Sequence, residues 1–213
     1  MKKIVFATNN AHKLEEVRQI LEGRYEVLSL RDINCHEELP ETHETLEENS
    51  LEKARYVKEH YGYDCFADDT GLEVDALDGK PGVYSARYAT ISEGKWTATN
   101  DSHDAESNMQ KLLLMLDNTP KQKRQAQFKT VVSLIVNDET HLFTGIVKGM
   151  IATERHGDEG FGYDPLFFPY EEDPDVTSPT TLSTRTFAEM TGEEKNNISH
   201  RGRAMRKLAL FLK

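Results

Sequence analysis

The feature that most restricts this chain comes first. An apolar strand pattern, Lys2-Lys3-Ile4-Val5-Phe6-Ala7, runs into a polar turn, Thr8-Asn9-Asn10, and then Leu14, Val17, Ile20 and Leu21 recur at helical spacing. Strand, tight turn and amphipathic helix in that order make half of a β-α-β unit, and Tyr25 to Leu30 supplies the next strand. A second helix carries Leu46, Ser50, Ala54, Val57 and Tyr61 on one face, with Thr45 and Glu48 as a capping-box start. Asp64 to Ala67 and Leu72 to Ala76 read as short strands around a turn at Asp68-Asp69-Thr70-Gly71.

Further on, Met109, Leu112, Leu113 and Leu116 mark another amphipathic helix. Gln125 to Val136 and Thr140 to Val147 flank a turn at Asn137-Asp138-Glu139 as a hairpin, and Met150 to Thr153 reads as a third strand. The stretch from Gly157 to Pro165 is too rich in glycine for regular structure, and the acidic run from Glu171 to Thr186 reads as a loop. A helix from Arg203 to Lys213, with Met205, Leu208 and Leu212 inward, closes the chain. With no internal repeat and no linker, the pattern predicts an α/β fold in one domain, residues 1–213. It has two lobes, a central twisted mixed sheet flanked by helices, and an active-site cleft between the lobes.

Charge decides which partners are feasible. The chain has 26 Lys and Arg against 37 Asp and Glu, a net charge of −11, which excludes the diffuse basic surface that tracks a nucleic-acid polymer. A small anion then requires a local cluster of cations or a metal. Apolar runs such as Val131 to Val136 are far shorter than the roughly 20 residues of a membrane-spanning helix. Cys35 and Cys65 lack Cys-x-x-Cys spacing, which fits a reducing cytoplasm and argues against a disulfide or zinc framework.

Four constellations can carry chemistry. The turn Thr8-Asn9-Asn10-Ala11-His12-Lys13, between a strand and a helix N-terminus, presents backbone N–H groups and a lysine to a phosphate, or is simply an N-cap with a solvated lysine. Of Asp68 and Asp69, strand alternation sends only one into a given cleft. Asp69 is the candidate ligand for a hard Mg²⁺, with a second carboxylate from the acidic loop Glu37 to Glu44; the alternative is a solvated turn, where adjacent aspartates are common. In Gly160-Phe161-Gly162-Tyr163-Asp164-Pro165, glycines permit close approach of a flat ligand, an aromatic stacks and a carboxylate accepts from a ring N–H; the alternative is a tight turn anchored in the core. Ser199-His200-Arg201-Gly202-Arg203, with Lys195 upstream, groups donors at a helix start, which suits an anion or a carbonyl oxygen; the alternative is plain surface. Lys53, one turn from Asn49 beside the buried stripe, is of a kind that usually reaches out to water.

In this order the elements resemble the inosine triphosphate pyrophosphatase family, also called XTP/dITP diphosphatases. The likeness rests on Phe6-Ala7-Thr8-Asn9-Asn10 with Lys13, Glu48-Asn49-Ser50 with Lys53, Ala67-Asp68-Asp69-Thr70-Gly71-Leu72, Pro81 to Tyr88, Phe161-Gly162-Tyr163-Asp164-Pro165, Glu193-Glu194-Lys195 and Ser199-His200-Arg201-Gly202. The resemblance implies a cytoplasmic, Mg²⁺-dependent homodimer that hydrolyses ITP, dITP and XTP to the monophosphate and pyrophosphate, cleansing the nucleotide pool. It places Thr8, Asn9, Asn10, Ala11, His12 and Lys13 around the triphosphate, with Lys53 adding charge. Glu41 and Asp69 become metal ligands, Asp69 also the proton acceptor, and Thr70 lies beside the substrate. Phe161, Gly162, Tyr163 and Asp164 hold the purine, Lys195 sits near the substrate, and His200 and Arg201 bond the base. The chain departs from the family pattern in having Asn9 where Gly is frequent, and in longer segments from Ala89 to His103 and from Glu171 to Thr186.

Overall fold

The computed structural model describes residues 2–23, 25–100, 103–171 and 181–212. Part of each extended segment, residues 101–102 and 172–180, lies outside the described residues. The strands are β1 (Lys2–Phe6), β2 (Tyr25–Leu28), β3 (Cys65–Val74), β4 (Pro81–Gly82), β5 (Gln125–Val136), β6 (Glu139–Ile151) and β7 (Phe167–Pro169). The helices are α1 (Ala11–Ile20), α2 (Leu46–Tyr61), α3 (Ala105–Met115), α4 (Gly192–Ile198) and α5 (His200–Phe211), with short 3₁₀ turns between them. Strands pair in the order β2-β1-β3-β5-β6-β7, with β4 on β3. β1 is parallel to both β2 and β3, whereas β4 on β3 and β7 on β6 are antiparallel. The sheet is therefore mixed and the fold α/β, as the sequence predicts.

The chain divides into two compact units. The first comprises Met1–Thr70, Thr130–Gly145 and His200–Lys213, the second Gly71–Lys129 and Ile146–Ser199. In the first, the period-2 alternation of β1 decides the packing. Ile4 and Phe6 join a cluster with Val17 and Leu21 of α1 and Met205 and Leu208 of α5. Val5 and Ala7 join a different cluster with Ala54 and Val57 of α2. Helices thus cover both faces of these parallel strands, the arrangement such strands require. Phe6 stacks on Phe66 of β3, ring centroids 4.7 Å apart. α2 begins where Thr45 Oγ1 accepts the Glu48 N–H and ends where Gly62 adopts φ +74°, a left-handed conformation that glycine enters without a Cβ penalty.

The second unit is built around one aromatic-rich cluster containing Leu72, Val74, Tyr88, Leu112, Phe128, Phe167 and Phe187. Phe128 meets Phe167 edge-on at 4.7 Å. Lys111 of α3 is fully buried here. Its ammonium donates to the Tyr88 and Ile91 carbonyls and lies 3.8 Å from the Tyr88 ring centroid.

Three local expectations are corrected. Asp68-Asp69-Thr70-Gly71 is not a turn between two strands but the interior of β3. These poor strand formers lie between β3's pairing with β1 at Cys65 and Phe66 and its pairing with β4 at Leu72 and Glu73, and the strand stays extended through them, a case of tertiary pairing overriding propensity. Met150 and Ile151 likewise continue β6 rather than starting a third strand, and the hairpin turn is the residue pair Asn137-Asp138, both at positive φ. The last helix starts at His200 rather than Arg203, since only the extended Ser199 separates it from α4.

Gly145 of β6 supplies a stability prediction. A Cβ there would stand 2.0 Å from the His200 carbonyl oxygen and 2.6 Å from the Ala204 nitrogen, both backbone atoms of α5 that cannot rotate away. Gly145→Ala is expected to destabilise the fold by about 3 kcal/mol and to lower Tm by roughly 6–12 °C in a thermal melt. An unchanged Tm would mean that α5 is not seated against β6.

Candidate active site

In the first unit, the turn into α1 is organised by its own side chains. Asn10 Oδ1 accepts the Lys13 N–H at 3.1 Å, and Thr8 Oγ1 accepts the Asn10 N–H at 3.2 Å. Two of the amides expected to face a phosphate are thus engaged within the turn. Asn9 and Ala11 are exposed, and the side chain of His12 lies outside the described residues. Asn9 is not among the positive-φ residues, so the frequent glycine is not demanded by its backbone here.

Lys13 points back across the sheet. Its ammonium donates to Asp68 Oδ1 at 3.1 Å, while Arg201 Nε donates to Asp68 Oδ2 at 3.2 Å and Arg201 Nη1 donates to Glu16 Oε2 at 2.7 Å. Asp68 and Arg201 are each only 1% exposed. Burial pushes the Asp68 carboxyl up, but the Lys13 and Arg201 charges outweigh it and hold that carboxyl well below the usual carboxylate range. Burial also lowers Lys13, against the opposing pull of Asp68.

Asp69, the next residue of β3, has different partners. Lys53 of α2 places its ammonium 3.9 Å from Asp69 Oδ1 and hydrogen-bonds Glu41 Oε1. The Thr70 N–H donates to Asp69 Oδ1 at 2.9 Å, and Asp69 Oδ2 is buried with no hydrogen-bond partner. Burial, reinforced by Glu41 and Asp68, overcomes the pull of Lys53 and pushes the Asp69 carboxyl up to about 6. Burial would lower Lys53, but the Asp69 and Glu41 charges prevail and raise it. Thr70 Oγ1 hydrogen-bonds Thr130 Oγ1 at 2.7 Å. Lys53 is buried rather than reaching out to water.

The carboxylates of Glu41 and Asp69 therefore converge on a single cation, and an orphaned buried oxygen remains on Asp69. Hard oxygen donors in this arrangement suit a hard divalent cation, which takes one or two protein carboxylates and completes its shell with water and phosphate oxygens. Among the described residues no cluster of three or more His, Cys, Asp or Glu could hold a metal, so any such ion needs those outside ligands.

A second group lies in the second unit. Gly160 has φ +78°, and a Cβ there would meet Asp164 Oδ2 at 2.3 Å, so glycine is required. That same oxygen accepts the Phe161 N–H at 2.7 Å and the Lys195 ammonium at 2.8 Å. Lys195 Nζ also lies 4.3 Å from the Phe161 ring centroid. A buried carboxylate thus ties the aromatic loop to α4 and holds a cation against the ring. Gly162 is at φ +62°, and Tyr163 is anchored in the core, its hydroxyl donating to the Ser85 carbonyl at 2.8 Å.

The structure so gathers Lys13, Glu41, Lys53, Asp69, Thr70 and Arg201 in the first unit, and Phe161, Asp164 and Lys195 in the second. His200 opens α5 as a buried residue. Sequence reasoning missed Glu16, Asp68 as a shared acceptor, and Thr130. Only Glu16 left a signal, since it follows Lys13 by three residues and so shares its side of α1.

The chain is 50% identical over 213 residues to the dITP/XTP pyrophosphatase of Flavobacterium psychrophilum, covering 99% of both chains. It is 47% identical over 212 residues to the dITP/XTP pyrophosphatase of Porphyromonas gingivalis, covering all of this chain and 98% of that one. The solved Ham1 protein of Staphylococcus aureus superposes with a TM-score of 0.79 at 38% identity, covering 99% of this chain and 98% of its own. The family model described as Ham1 matches residues 4–211, and the chain belongs to the Ham1 family.

Proposed function

We propose that the chain hydrolyses non-standard purine nucleoside triphosphates, dITP, XTP and ITP, to the nucleoside monophosphate and pyrophosphate. The observation that carries the reading is Asp69: a buried carboxylate with one unpartnered oxygen, paired with Glu41 across a lysine and one residue from the Asp68-Lys13 pair. The names of the 47–50% identical relatives, dITP/XTP pyrophosphatases, support dITP and XTP among these substrates.

Lys13 and Lys53 bind the triphosphate by charge, and the turn from Thr8 to Lys13 positions it. Asp69 Oδ2 takes the proton of the water that attacks the α-phosphorus; a carboxyl pushed up to about 6 is better suited to that task than an ordinary aspartate. Glu41 and Asp69 would hold Mg²⁺, which when bound neutralises phosphate charge and favours departure of pyrophosphate. Phe161 stacks on the base, its loop fixed by Asp164 and Lys195. His200 and Arg201 bond the base. The reading carries a homodimer in the cytoplasm as well, and sedimentation velocity tests the assembly. Among the described residues no helix is long and apolar enough to cross a membrane.

Selectivity follows from the 6-position of the purine. Hypoxanthine and xanthine present an acceptor oxygen to donors, whereas the adenine amino group leaves donor facing donor. In a buried site such a mismatch gives about 10⁴-fold discrimination. Steady-state pyrophosphate release should therefore show kcat/KM for ITP and XTP about 10⁴-fold above that for ATP. Equal values for ITP and ATP would overturn the assignment.

A further inference from the structure

The ammonium of Lys53 stands where a divalent ion shared by Glu41 and Asp69 would have to be. It hydrogen-bonds Glu41 Oε1 and lies 3.9 Å from Asp69 Oδ1, and the lysine side chain is only 9% exposed. The geometry is built in rather than incidental. Glu41 leads into a segment clamped onto α2: the Thr42 N–H donates to Glu52 Oε2 at 2.9 Å, and the Thr42 hydroxyl donates to Glu52 Oε1 at 2.9 Å. The His43 N–H donates to Asn49 Oδ1 at 2.9 Å and the Asn49 side-chain amide donates to the His43 carbonyl at 3.2 Å. Asn49 and Glu52 lie on α2 one turn and one residue before Lys53, so one helix carries the lysine and holds the backbone beside Glu41. Asp69 is held from the other side by β3, and its buried Oδ2 has no hydrogen-bond partner.

We propose that Lys53 is the resident counter-cation of the Glu41-Asp69 pair, so that a divalent ion enters this pair only by displacing the ammonium. The inference rests on the reading of Glu41 and Asp69 as metal ligands. A cation already between two carboxylates weakens the binding of a second one by direct repulsion. The phosphates of a nucleotide offer the displaced ammonium new anionic partners, so ion and nucleotide enter together. Four rotatable bonds in the lysine stem let its charge move while α2 stays in place. The bare protein would thus hold its carboxylates neutralised and bind divalent ions weakly, with tight binding reserved for the nucleotide-bound state.

The test is Mn²⁺ binding to the full-length protein without nucleotide, by isothermal titration calorimetry at pH 8.5. Lys53→Met is expected to bind Mn²⁺ about tenfold more tightly than wild type, and Lys53→Arg, which keeps the charge, to bind as weakly as wild type. Mn²⁺ should also raise the Tm of Lys53→Met more than that of wild type. Should Lys53→Met fail to fold, Lys53→Gln provides the same comparison. Equal or weaker Mn²⁺ affinity in the uncharged variants, with Glu41→Gln still abolishing binding, overturns the counter-cation proposal alone. Mn²⁺ binding that Glu41→Gln leaves intact, or none in any form even with dITP present, overturns the metal-ligand reading and this proposal with it.

Discussion

Asp69→Asn is expected to lower kcat by about 10³-fold or more while the fold survives. The amide can neither accept the proton of an attacking water nor contribute charge to a hard cation, and the neighbouring Asp68 carboxylate is already taken up by Lys13 and Arg201. The stability side of the prediction runs opposite to the activity side. The Asp69 carboxyl is pushed from 3.8 up to about 6 in the folded chain, so its ionised form opposes folding. That opposition is absent below about pH 4, grows as pH rises, and is complete above about pH 6. Removing the charge should therefore leave Tm at pH 8 equal to or above that of wild type. Parallel melts and pyrophosphate-release assays check both halves. A variant retaining a tenth of wild-type kcat would remove Asp69 from the chemistry, and one that unfolds would show that its charge is structural.

Asp68→Ala should do the reverse and damage the fold first. Deleting this carboxylate strands two cations, Lys13 and the fully buried Arg201, which otherwise share its two oxygens at 3.1 and 3.2 Å. Breaking such a pair from one side costs about 3–5 kcal/mol, which in a chain of this size lowers Tm by roughly 6–20 °C. Adding Arg201→Met to Asp68→Ala should recover part of that loss, by about 1–3 kcal/mol in a double-mutant cycle, because the second change removes one stranded charge. The pH dependence carries the opposite sign to that of Asp69. The Asp68 carboxyl is held below its ordinary range, so its stabilising contribution is present above about pH 4 and is lost as pH falls below that value. Asp68→Ala should therefore lose the acid-induced part of the stability profile that wild type displays. Additive effects in the cycle would break the proposed linkage.

The two neighbouring aspartates show where sequence reasoning stops. Strand alternation was enough to say that they would face different partners, and they do: Asp68 meets Lys13 and Arg201, Asp69 meets Lys53. What the residues could not reveal was that the whole motif is strand. Aspartate and glycine favour turns, yet β3, anchored to β1 before them and to β4 after them, runs extended through all four. The same limit applies to Lys53, whose position beside the buried stripe suggested a solvated head. Its burial depends on Glu41, twelve residues away, and on a strand that the helix sequence does not specify.

Local order therefore belongs to the sequence. The cap at Thr45, the stop at Gly62, the Asn137-Asp138 hairpin turn and the β-α-β opening are set by interactions within a few residues, and the ordered motifs identify the family. Tertiary structure alone decided which charges neutralise which. Arg201 meets Asp68 across 133 positions and Glu16 across 185, and a charge buried at that range is tolerable only when its partner arrives with it. The sequence could name candidate cations and carboxylates, but their pairing, and hence the raised Asp69 and lowered Asp68, follows from packing that brings remote segments of the chain into contact.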